Sequence, residues 1–148
     1  MRRAKLAGVV LSLALAFGST RAAAQSVAVP PIIRTGLEAI RTGGVEAALD
    51  AWLDGWGAEA ASSGKAQLLP TFREIETVCG TFTGYDALGT AAWGPHTLRM
   101  YYVLLGKQRP AYLRFDVYQS DGRWRVLNVT INTDPAQVLT PEMLAPHG

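Results

Sequence analysis

The sequence predicts an α+β fold in which N-terminal helices pack on the concave face of a strongly bent antiparallel sheet. Three observations carry that expectation. Residues 97–132 hold three strand-like runs, TLRMYYVLLG, AYLRFDVYQ and RWRVLNVTIN, joined by short turns. Upstream, apolar residues recur at helical spacing from Ile33 to Cys79. Within the last strand the apolar parity slips by one residue, which calls for a bulge, and a bulge bends a sheet.

The helical part divides at its glycines. Ile33, Leu37 and Ile40 predict a first helix ending at Thr42-Gly43-Gly44. Val45, Leu49, Trp52, Leu53 and Trp56 share one face of a second, with Asp50 and Asp54 off that stripe and solvated. Gly55, Gly57 and then Ser62-Ser63-Gly64 predict a loop. Leu68, Phe72, Ile75 and Cys79 line a third helix, which should begin near Pro70, because proline is tolerated in a first turn, and stop at Gly80. Thr81–Trp93 is compatible with a strand interrupted by Gly84 and Gly89, and Gly94-Pro95 turns the chain into the meander.

Asp121-Gly122 between alternating runs predicts a two-residue hairpin, whose type I′ turn needs positive φ at both central positions. This turn pairs Ser120 with Arg123, Gln119 with Trp124 and Val117 with Val126. Carried on without a break, it would set Phe115 against Asn128. One extra residue near Val126–Leu127 instead pairs Phe115 with Val129 and Leu113 with Ile131. At the other hairpin, a four-residue Lys107–Pro110 loop sets Leu104 opposite Leu113, Tyr102 opposite Phe115 and Met100 opposite Val117. One face then collects these apolar side chains and needs cover. The other holds Arg99, Tyr101, Arg114, Asp116, Tyr118, Arg125, Asn128 and Thr130.

Residues 1–24 have the charged, apolar, small-residue grammar of a signal peptide: Arg2, Arg3 and Lys5, then Leu6–Phe17, then Ala22-Ala23-Ala24. That apolar run is shorter than the roughly 20 residues of a membrane span. The expected product is exported, periplasmic or secreted, with no membrane span after cleavage before Gln25. The whole chain has a pI near 8.9. Without residues 1–24, ten basic and twelve acidic side chains remain, net −2, so nucleic acid is not an expected partner. Residues 25–31 read as a flexible leader, 32–134 as a single α+β domain, and 135–148 as a tail with helical turns capped by Asp134 and Thr140 ahead of Pro135 and Pro141. The single cysteine, Cys79, follows Ile75 and Val78 and reads as a buried thiol.

The TGGVEAALDAWLDGW helix, the LLPTFREIETVCGTFTGYD helix-to-strand passage and the YYVLLGKQRPAYLRFDVYQSDGRWRVLNVTINTD meander together resemble the cone-shaped nuclear transport factor 2-like superfamily over about residues 33–134. The resemblance is one of architecture, cystatin-like in its helix-on-sheet order. It implies a pocket between helices and sheet and a homodimer through the convex sheet face. It implies no single chemistry, since such folds include isomerases, dehydratases and binding modules.

Within that frame Trp52, Trp56, Tyr102, Phe115 and Trp124 either build a large aromatic core or line an apolar pocket for a small ligand, with Tyr102 as its polar anchor. Tyr101, Arg114, Asp116, Tyr118 and Arg125 are the expected dimer surface. Isomerase-like members use a carboxylate base inside the cone. Parity turns Asp116 away, which leaves Asp86 as the catalytic candidate. Only His96 and His147 are present as histidines, and no ligand set has metal-binding spacing, so no metal or other cofactor is expected. Two readings follow: an exported non-catalytic domain that binds a small molecule or another protein, or a small lyase or isomerase working in the cone with Asp86 and Tyr102.

Overall fold

A computed structural model describes residues 27–146, and the signal-peptide reading of residues 1–24 lies outside them. Two long helices, α1 (Pro31–Trp52) and α2 (Ala58–Cys79), precede four strands, β1 (Phe82–Ala92), β2 (Thr97–Gly106), β3 (Pro110–Ser120) and β4 (Arg123–Asn132). A 3₁₀ turn (Pro135–Gln137) and the one-turn helix α3 (Pro141–Leu144) follow. The strands form one antiparallel sheet in the order β1-β2-β3-β4, and the helices pack on one face of it. No helix among the described residues is long and apolar enough to cross a membrane.

The α1 stripe is the one the periodicity marks. Ile33, Leu37, Ile40, Val45, Leu49 and Trp52 are all buried. The expected break falls at Gly44, whose φ of 81° kinks α1 into two helical halves. Proline at the first helical position is tolerated because its missing N–H would have no partner there. So α1 begins at Pro31 rather than after it, and the preceding Pro30 is packed rather than loose.

The start of α2 corrects the sequence reading. It runs for 22 residues straight through Ser62-Ser63-Gly64 and through Pro70. Its first half is mostly exposed, so it carries no apolar stripe to read. Lys65 holds it to α1 by ion pairs with Asp50 at 2.7 Å and Glu46 at 3.1 Å. Gly64 sits where a Cβ would come 3.2 Å from Leu53, so the glycine that suggested a loop serves a close approach of two helices. The stop at Gly80 stands as expected.

In the meander, Phe115 pairs with Val129 and Leu113 with Ile131, while Val117 keeps Val126 and Asp116 takes Asn128. Leu127 is therefore the extra residue, and it is 52% exposed. Asp121 and Gly122 have φ of 52° and 71°, as a type I′ turn requires. The β2–β3 register differs by two residues from the expected one: Leu104 faces Ala111, Tyr102 faces Leu113 and Met100 faces Phe115. The turn closes earlier, with Leu105 opposite Pro110. Its cause is tertiary, because Gly106 lies against the Cys79 and Arg109 carbonyls with no room for a Cβ. A shift of two keeps every side chain on its predicted face.

The inner face and the helices enclose one core, from Ile33 through Phe72 to Val129 and Ile131. Cys79 belongs to it, fully buried, its thiol donating to the Pro110 carbonyl at 3.6 Å. The tail caps form as read, Asp134 accepting from the Ala136 amide and Thr140 from the Met143 amide.

Candidate functional site

The interior between helices and sheet is occupied by aromatic rings. Trp52 meets Phe115 edge-on with centroids 4.8 Å apart and Phe72 at 5.9 Å. Tyr102 meets Phe115 at 5.9 Å and Tyr85 at 6.1 Å. Such tilted and edge-to-face pairs are favourable beyond the area they bury. Trp52, Phe72 and Phe115 are 0% exposed and Tyr102 is 3%. The Trp52 indole N–H donates to the Ile33 carbonyl at 3.3 Å, and Gly36 is required beside it because a Cβ there would fall inside the ring.

Of the five expected pocket residues, Trp52, Tyr102 and Phe115 come together, and as core rather than lining. Trp124 is half-buried in the wall of an open surface cleft of about 600 Å³ bordered by Ile32, Asp54 and Arg125. Trp56 lies on the surface and donates its indole N–H to the Val126 carbonyl at 2.9 Å. This bond satisfies a backbone acceptor on the edge strand beside the Leu127 bulge.

Two bulges in β1, at Thr83 and Leu88, settle the face of Asp86. Tyr85 pairs with Leu104 and points inward, so Asp86 points outward opposite Val103 and is exposed. The expected Asp86–Tyr102 pair is therefore split across the sheet. Burial pushes the Tyr102 hydroxyl up to about 12, with Tyr85 adding to the shift. A carboxylate does meet Tyr85: its hydroxyl donates to Glu38 Oε1 at 2.8 Å, which together with Arg41 holds Glu38 below its usual range. No local pattern signals this contact, because it joins residues 47 positions apart.

On the outer face the side chains form a row across the end of the sheet bounded by the 94–96 and 121–122 turns. Trp93 follows β1 and is 55% exposed, with the Arg99 guanidinium 4.5 Å from its ring centroid. Arg99 is gripped side-on by Asp116, Nε to Oδ1 at 2.6 Å and Nη2 to Oδ2 at 3.1 Å. Burial alone would raise the Asp116 carboxyl, but the Arg99 hydrogen bonds and charge outweigh it and hold the carboxyl below its usual value. Tyr118, 42% exposed, pairs across strands with Thr97 on one side and Arg125 on the other. Arg125 reaches over the β4 edge to lie 5.6 Å from the Trp56 ring centroid.

The five expected interface residues thus share the outer face, but not equally. Tyr101 is 5% exposed, buried within its own chain. The tail crosses near it: Met143 approaches Gly89, which is the cross-strand partner of Tyr101. Arg114 is half-buried, with Nη2 donating to Thr130 at 3.3 Å. Trp93 joins the row unforeseen, and its one sequence signal was an aromatic next to a Gly-Pro turn.

No family model, curated protein or solved structure matches this chain.

Proposed function

We propose that this is an exported, non-catalytic protein-interaction domain that engages its partner through the outer sheet face, at the Trp93–Tyr118 end. The observation that carries this reading is the filled interior, where Trp52, Phe72, Phe115 and Tyr102 are 0–3% exposed. In the resemblance to the nuclear transport factor 2-like superfamily this corresponds to a cone whose pocket has become core. Export rests on the signal-peptide grammar of residues 1–24. The outer row has the composition of an interface hot spot, with exposed Trp93 and Tyr118 beside the half-buried Arg99 and Arg125.

A lyase or isomerase in the cone would need a substrate beside Tyr102 and a carboxylate with it. Tyr102 is sealed behind Tyr85, and Asp86 is on the opposite face. A small ligand in the interior meets the same obstruction.

Site-specific photo-cross-linking tests the reading. A photoreactive residue at Tyr118, with a control at the exposed Glu74 of α2, is installed in the protein in its own compartment. The expected result is a discrete adduct from position 118 and none from 74. Adducts from 74 alone, or a small molecule co-purifying against Trp52 and Tyr102, would overturn it.

A further inference from the structure

The composition of the outer row specifies the chemistry of what it contacts, given that the interaction reading holds. Across the sheet end, arginine alternates with aromatic: Trp93, Arg99, Tyr118, Arg125 and, past the β4 edge, Trp56. The arginines are not equivalent. Arg99 is neutralised by Asp116 and stacked on Trp93, so it is a fixed part of the platform. Among the described residues Arg125 and its neighbour Arg123 make no ion pair. The Arg125 Nε is also buried without a hydrogen-bond acceptor, a state that native structures rarely leave uncompensated.

We infer that this row is a docking site for an acidic segment of a partner protein, whose carboxylates pair with Arg123 and Arg125 while neighbouring apolar side chains lie on Tyr118 and Trp93. Charge complementarity argues for this occupant over two others. A second copy of the chain would bring the same surplus of unpaired arginine to the joint, and the one carboxylate within the row, Asp116, is already engaged. A nucleic acid also suits interleaved aromatics and arginines. However, binding to it draws on many phosphate contacts, of the order of 6–10 for a typical site. This row offers two free guanidinium groups on a chain whose residues after 24 are net −2.

Spacing adds a constraint. Arg114 and Tyr118 lie four residues apart on β3, about 13 Å at the usual rise of a strand, and the Arg114 Nε is likewise buried without an acceptor. An extended segment running along β3 could therefore reach from Arg125, beside Tyr118, toward Arg114 with acids spaced four residues apart.

The test uses the purified processed protein and blocked peptides of alternating Glu and Val, with Lys–Val and Thr–Val peptides of equal length and oligo-thymidylate as comparators. Binding is followed by tryptophan fluorescence and calorimetry. The Glu–Val peptide should bind, weaken as salt rises, and lose about tenfold in affinity on Arg125→Glu, with a similar loss on Trp93→Ala. Trp93 is exposed, so its variant should keep the wild-type circular dichroism and melting curve. Equal binding of Thr–Val and Glu–Val peptides, still lowered by Trp93→Ala, would overturn the acidic partner while leaving the interaction face standing. Tighter binding of oligo-thymidylate, or a dimer in light scattering that Arg125→Glu strengthens, would also overturn it. No binding by any probe, with Trp93→Ala and Tyr118→Ala silent, would overturn the inference, and a silent cross-linker at position 118 would then remove the face as well.

Discussion

Trp52 is the residue on which the interior depends. It touches Phe72 and Phe115, donates to the Ile33 carbonyl, and occupies the space that Gly36 leaves open. Trp52→Ala should cost about 3–5 kcal/mol in urea unfolding, through lost burial and the void left behind. That is a large share of the roughly 5–15 kcal/mol that holds a domain of this size folded. On the outer face, Asp116 has a lowered folded-state value, so its contribution is present above its unfolded value of 3.8 and is lost as pH falls through the folded one. Stability should therefore decline on acidification below about pH 4, partly through this pair. Asp116→Asn should lower stability at neutral pH by about 1–2 kcal/mol and flatten that acid decline, read as urea midpoints across pH.

At the scale of elements, what could be read depended on whether local pattern or tertiary contact set the structure. The β3–β4 hairpin and its Leu127 bulge were legible because turn chemistry fixes one end and apolar parity the other. Neither signal reaches the β2–β3 turn, where Gly106 packs on Cys79 from outside the hairpin as well as on Arg109 within the turn, so the register there differed by two. The first half of α2 was unreadable for another reason: ion pairs with α1 hold it, and Gly64 and Pro70 look like breakers. Pro70 is exposed and deprives the helix of one backbone bond. Pro70→Ala should thus stabilise the fold, by about 1–2 kcal/mol after allowing for the freer unfolded chain. Thermal melts of the two proteins check this, and an unchanged or lower midpoint would show that the proline relieves strain in α2.

For the molecule as a whole, the sheet separates two chemistries. Parity alone assigned the meander residues to the correct faces, including Asp116 outward, so the division between core and exterior was visible in the sequence. Whether the aromatic residues formed a pocket or a solid core was not, because ring packing depends on how closely α1 approaches the sheet. The answer is a solid core, with aromatic and arginine side chains gathered at the outer rim at Trp93, Tyr118 and Arg125. The central claim is that the interior excludes ligands. Its most direct measurement is an NMR titration of the isotope-labelled protein with a mixture of small apolar and phenolic fragments. The account predicts that the Trp52 indole and Tyr102 ring resonances stay fixed, with any shifts confined to Trp93, Trp56 and Tyr118. Saturable shifts at Trp52 and Tyr102 would contradict it and reveal a ligand pocket between the helices and the sheet.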